Sequence, residues 1–165
     1  MVEIFIVGAF EAAMENKFNK DILVLKSGDV ALFNITSHGG ELECLKRMTA
    51  KVYALKEMGV HVVTYVPTYA ESAGFFFFLL GDHREMEETA TVHYHTPRVF
   101  LENGFIATKH SLTGLLTDIS AYQDFTSSLF KASCDISEDI FSLLENSELP
   151  MNRANLQTLG IINQT

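Results

Sequence analysis

Two periods of apolar and polar positions alternate along the chain. Ile4, Phe5, Ile6 and Val7 make a continuous apolar run closed by Gly8, which predicts a strand buried on both faces. Met14, Phe18, Ile22 and Leu25 then recur at helical spacing and predict a helix over roughly Glu11 to Lys26, ended by Gly28. Val30 to Ile35 reads as a second strand. Gly39-Gly40 lead into a helix with the buried stripe Leu42, Leu45, Thr49, Val52 and Leu55, closed by Gly59 in the manner of a C-cap. Val60 to Val66, rich in β-branched residues, is a third strand, and Pro67 opens the loop that runs to Ser72. Phe75 to Leu80 is a short, wholly apolar helix, Asp82 to Glu88 a charged loop, and Thr91 to His95 a further strand. From Phe105 to about Glu145 the pattern is that of one or two long helices.

This β-α-β-α-β-α rhythm predicts an α/β fold with parallel strands, in which loops at the carboxyl ends of the strands gather the functional groups. Gly39-Gly40 and Ser72 both fall at such ends. With no repeat and no low-complexity linker, residues 1–165 read as a single domain. The long helical stretch carries more apolar surface than one helix needs: Leu112, Leu115, Leu116, Ile119 and Tyr122 share a face, and Phe125, Leu129 and Phe130 continue it. Burial against a second copy of the chain is the expected use of that face, with packing back onto the sheet as the alternative.

Composition narrows the function. A net charge of -9 argues against a phosphate-tracking surface and so against nucleic acid as a partner. No apolar run approaches a membrane span, and no leader pattern opens the chain. Cys44 and Cys134 stand far apart and form neither a zinc motif nor a disulfide framework, which fits a reducing, cytoplasmic setting with no metal and no organic cofactor.

The candidate chemistry centres on Ser72, which stands in Ala70-Glu71-Ser72-Ala73-Gly74 just ahead of the apolar helix. A serine there either caps the helix by accepting a backbone N–H or presents its hydroxyl as a nucleophile from a rigid turn. His95 and His93 are the candidate bases. They point to the same face of a strand, so alternation does not choose between them, although His95 lies nearer the carboxyl end. Gly39-Gly40 is a tight turn and also a source of an oxyanion-binding N–H, with Ala73 N–H as the second donor. His38, His61, His83 and His110 lack an acid or nucleophile context and read as surface or loop residues. Spacing alone does not find an acid to orient the histidine; Asp135, Glu138, Asp139, Glu145 and Glu148 are all available.

In this order the motifs resemble the ATP-dependent Clp protease proteolytic subunit, ClpP, a peptidase family of the ClpP/crotonase fold. Ser37-His38-Gly39-Gly40 resembles the family's Ser-Pro-Gly-Gly, Ala70-Glu71-Ser72-Ala73-Gly74 its nucleophile motif Ala-Ser-Met-Gly, and His95-Thr96-Pro97 its His-Gln-Pro. Leu156 to Asn163 is similar to its final helix and Gly-Leu-Val-Asp ending. The resemblance implies a ClpP/crotonase-like spiral of β-β-α units with a protruding handle helix, the handle region lying at about 97–145. It implies Ser72 as nucleophile, His95 as base, Gly39 and Ala73 as oxyanion hole, and Glu145 as the acid nearest the family's aspartate. It further implies heptameric rings stacked as a tetradecamer, a Clp-type ATPase unfoldase as partner, and peptides or unfolded proteins as substrates of a serine endopeptidase. The chain departs from the pattern at His38, Glu71 and Ala73, and it opens almost at the first strand, without the segment from which the family builds axial loops. A carboxylate beside the nucleophile opposes an oxyanion unless it is paired. A catalytically weak ring subunit is therefore the alternative expectation, and an acyl-CoA-binding crotonase-like enzyme shares the fold without needing this serine and histidine.

Overall fold

The computed structural model describes residues 1–95, 107–134 and 136–162, with only the backbone of Glu138, Glu145, Asn146 and Ser147. The elements are β1 (Val2–Phe10), α1 (Ala12–Asp21), β2 (Val30–Gly40), α2 (Leu42–Glu57), β3 (His61–Val66), β4 (Tyr69–Glu71) and α3 (Ala73–Phe78). They continue with β5 (His83–Met86), β6 (Thr91–His93), α4 (Lys109–Ser133), α5 (Glu138–Ser147), β7 (Pro150–Asn152) and α6 (Arg153–Thr158). Strand pairing runs β5-β3-β2-β4-β6-β7, with β1 on the other side of β2, and all pairs are parallel except β6 with β7.

β2 is the strand that shapes the site. The sequence predicts a strand ending near Ile35, but the strand runs on to Gly40 because it changes partner on one side. Val30 to Asn34 pair with β3, whereas Ser37 pairs with Ala70 of β4. On the other side β1 follows nearly its whole length, with a register shift between Val7 and Ala9. Ser37, His38, Gly39 and Gly40 are thus strand residues at the point where the sheet curls away from β3, rather than a turn beyond it.

Other expectations are corrected by the same pairing logic. β1 is not buried on both faces: Ile4 and Ile6 enter the core while Phe5 and Val7 are exposed, a period-two pattern on a strand covered on one face only. The first helix stops at Asp21 and gives way to a 3-10 turn at Ile22–Val24, although Leu25 still reaches the core. In α2 the stripe is carried by Cys44, Leu45, Met48, Thr49, Val52 and Leu55, with Leu42 only half-buried in the first turn. The loop from Pro67 contains β4, and the charged loop contains β5, an edge strand whose one fully buried residue is Met86. Charge on an edge strand hides its periodicity. The strand expected to reach His95 ends at His93. The long helical stretch is two helices, α4 opened by a Thr108–Ser111 capping box and α5 capped by Ser137.

The core is organised around α3. Phe75, Phe76, Phe77 and Phe78 are all fully buried, so this helix is apolar all round because it is packed all round. Phe77 meets Phe10, Phe18 and Phe33 at ring separations of 5.6 to 5.8 Å, which ties α3 to β1, α1 and β2. Phe75 meets Phe130 of α4 at 5.8 Å and Phe76 meets Tyr94 at 5.5 Å. Burying one such ring contributes about 1.5–3 kcal/mol, so α3 is a firmly held base for a reactive group. Among the described residues no helix is long and apolar enough to cross a membrane.

Candidate active site

β4 ends at Glu71 and α3 starts at Ala73, so the chain turns from strand to helix on one residue. That residue, Ser72, has φ 51° and ψ −121°. A left-handed φ on a residue with a Cβ costs on the order of 1–3 kcal/mol and persists only where the surroundings over-determine it. Here Ser72 N–H donates to the His93 carbonyl at 2.9 Å, its own carbonyl accepts from Phe76 N–H at 3.1 Å, and the four phenylalanines lock the following turn. The helix-capping reading does not hold, since the Ser72 side chain makes no cap hydrogen bond to α3.

The end of β2 presses against this elbow. A Cβ at Gly39 would lie 2.6 Å from Ser72 Cβ, 3.0 Å from Ser72 Oγ and 3.1 Å from Ala73 N, and Gly39 has φ +100°. Glycine is therefore required on both counts. Gly74 is similarly close to Ser37, where an added Cβ would stand 3.0 Å from its carbonyl oxygen and 3.1 Å from its Cβ. The structure thus brings Gly39, Ser72 and Ala73 together. It also engages the Gly39 N–H, which donates to Ser37 Oγ at 3.0 Å, while Ser37 Oγ donates to the Gly8 carbonyl at 2.6 Å. For Gly39 to serve an oxyanion, that first bond must open.

The histidines sit at the neighbouring strand. Glu71 pairs with His93 across the β4–β6 ladder, and His95 follows two residues beyond, half-buried, with its ring 5.6 Å from that of His93. His93 Nε2 donates to the Glu148 carbonyl at 2.6 Å, so one of its ring nitrogens is committed to the end of α5. Thr96, Pro97 and Asp135 lie outside the described residues, as does the side chain of Glu145.

Glu71 is paired. Its carboxylate takes His38 Nδ1 at 2.7 Å, and the His38 ring stacks on Tyr69 at 4.2 Å. The reading of His38, His61 and His83 as lacking an acid context is corrected: His61 stands 3.6 Å from Asp82 and His83 2.7 Å from Glu85. The cause is that each acid comes from a neighbouring strand, a strand end or an alternate position on the same strand. The His38–Glu71 pair links the residue before Gly39 to the residue before Ser72.

On α4, Tyr122 is half-buried, and burial pushes its phenol pKa up from the ordinary tyrosine value, an interaction with the Ser72 hydroxyl acting in the opposite direction. No group of three or more metal-ligating side chains occurs among the described residues.

A serine on a strained strand-to-helix elbow, backed by a glycine strand end and sited in a curled, mostly parallel sheet with a long helix beyond it, defines an α/β fold of the spiral, handle-bearing class. Comparison with solved structures makes this specific. The chain is similar to a mutant form of ClpP1 from Listeria monocytogenes, with a TM-score of 0.81 and 17% sequence identity, over 98% of this chain and 89% of that one. At that identity the likeness shows the ClpP fold. No protein-family model matches the sequence, and no curated protein is similar to it by sequence.

Proposed function

We propose that the chain is a ClpP-like serine endopeptidase subunit. The observation that carries this reading is the Ser72 elbow: a hydroxyl that caps nothing, on a backbone held at φ 51°, with Gly39 and Ala73 packed around it. In the proposed reaction His95 takes the Ser72 proton as Oγ attacks a peptide carbonyl, and the tetrahedral oxyanion is held by Ala73 N–H and by Gly39 N–H once it leaves Ser37 Oγ. His95 then protonates the leaving amine, water hydrolyses the acyl-enzyme by the reverse proton path, and Glu145 is the proposed orienting acid. No metal or organic cofactor takes part.

The first half of α4 carries a partly exposed apolar stripe, with Leu112 and Leu116 open to solvent, which supports self-assembly into heptameric rings stacked as a tetradecamer, enclosing the sites in a cytoplasmic particle. Enclosure limits substrates to peptides and unfolded chains, with a Clp-type ATPase as the proposed source of the latter. A second reading, a catalytically silent ring subunit, is favoured by one feature: the Gly39 N–H is already satisfied by Ser37 Oγ.

Fluorophosphonate labelling separates the two. Covalent modification at Ser72, lost in Ser72→Ala together with peptide hydrolysis by three or more orders of magnitude, is the expected result on the order of known triad knockouts. Unlabelled Ser72 in the assembled protein would sink the peptidase reading.

A further inference from the structure

β1 and β2 keep one register from Val2 opposite Ala31 to Val7 opposite Thr36, and resume at Ala9 opposite Gly39. Between these points one residue of β1, Gly8, faces two of β2, Ser37 and His38, so the ladder carries a bulge where β2 reaches the site. The Ser37 side chain bridges the strands there. Its hydroxyl is 1% exposed, donates to the Gly8 carbonyl at 2.6 Å and accepts from Gly39 N–H at 3.0 Å. Both directions are fixed, because a carbonyl only accepts and an N–H only donates.

The bridge satisfies a buried backbone N–H in the absence of substrate. That N–H belongs to the glycine that packs against Ser72 and Ala73 and is the proposed oxyanion donor. One proton serves one acceptor at good geometry, so Gly39 N–H must leave Ser37 Oγ to reach the oxyanion. Rotation of the His38–Gly39 peptide performs the exchange: Gly39 stands at φ +100°, and without a Cβ it is free to take either sign of φ. Ser37 Oγ keeps its bond to Gly8 and stays in place to take the N–H back. The Gly39–Ser37 bond is thus made in the ground state and lost in the transition state, and a contact of that kind raises the barrier.

We propose that Ser37 is a positioning residue which clips the Gly39 N–H in the resting protein, releases it to the oxyanion, and so restrains the reactivity of Ser72. This rests on the reading of Ser72 as nucleophile and Gly39 as donor. The contribution of one net hydrogen bond corresponds to a restraint of roughly 3- to 10-fold in rate.

Ser37→Ala removes one oxygen and leaves Gly39 N–H with no acceptor to give up. The probe is a fluorophosphonate, with which the Ser72 Oγ–P bond forms, the P–F bond breaks, fluoride leaves and the serine proton passes to the base. The labelling rate constant of the assembled protein is expected to rise roughly 3- to 10-fold in Ser37→Ala, and kcat for a peptide to rise alike at unchanged KM. An unchanged or lower rate by either measure, when the wild type labels, overturns the proposal alone. The wild-type adduct gives a second test that needs no variant. Its crystal structure is expected to show Gly39 N–H moved from Ser37 Oγ to the phosphonyl oxygen, an exchange that a merely structural serine would not make. Gly39 N–H still bonded to Ser37 Oγ in the adduct overturns the clip. Labelling of neither protein defeats the nucleophile reading, and the clip with it.

Discussion

Near the C-terminal end of α4, Phe130 is 0% exposed, whereas Leu116, on the same face nearer its start, is 67% exposed. One apolar stripe thus begins outside the folded body and ends inside it. The anchored end meets Phe75, Tyr94 and Phe141, all of them core residues, while Leu112 and Leu116 meet solvent. Periodicity specifies which face of a helix is apolar; what covers that face depends on where the helix lies. The anchored end reaches α3, the helix that follows Ser72, through the Phe75–Phe130 contact. The handle is therefore continuous with the core beneath the site at one end and with open surface at the other.

The largest expected effect breaks the anchored end. Phe130→Ala removes a fully buried ring from a cluster that joins α3, α4 and α5, and should lower unfolding free energy by about 3–5 kcal/mol. Urea unfolding measures it. A loss below about 1 kcal/mol would mean that α4 is held by something other than this cluster.

Much of the fold was legible before the structure, and the reason lies in where burial is periodic. α2 and β3 each bury one face and leave the other less covered, so they display their period openly. β4 and β5 lie in stretches whose sequence presents loops, since β4 is three residues long and follows a proline, and β5 is a charged edge. At the site, Ser72 is legible as the strand-to-helix turn, and Gly39 as a position whose backbone conformation selects glycine, although it lies in β2 rather than in a turn. The bonds from Gly39 N–H to Ser37 Oγ and from Glu71 to His38 are not. Each depends on how a strand end aims a side chain, and neither period two nor period 3.6 records that aim.

A smaller effect tests the polar side of the body. Glu15 of α1 takes Arg47 at 2.8 Å and Lys51 at 2.7 Å, both on α2, and these hydrogen bonds, Arg47 first, hold its carboxyl at about 2. Because the folded value lies below the unfolded one, the stabilisation is full above the usual carboxylate range and fades as pH falls from there towards 2. Glu15→Gln should therefore cost about 1 kcal/mol at neutral pH, a partly exposed pair being screened, and progressively less in acid. Equal losses at pH 7 and near pH 2.5 would show that the residue acts through packing instead.

The smallest effect on folding is expected at the open end, where it is most informative. Leu116→Gln exchanges residues of similar helix propensity at a position that buries little within the chain, so monomer stability should change by less than about 0.5 kcal/mol. If the stripe is an assembly surface, the same substitution places a polar amide in an apolar contact and should weaken self-association by an order of magnitude or more, as read by sedimentation at micromolar concentration. Folding unchanged and association lost would separate the two ends of α4 by function as well as by exposure. Folding lost would instead place Leu116 under cover within its own chain, and association kept would move the assembly surface elsewhere on the body, for which exposed Phe5 and Val7 of β1 are the next candidates.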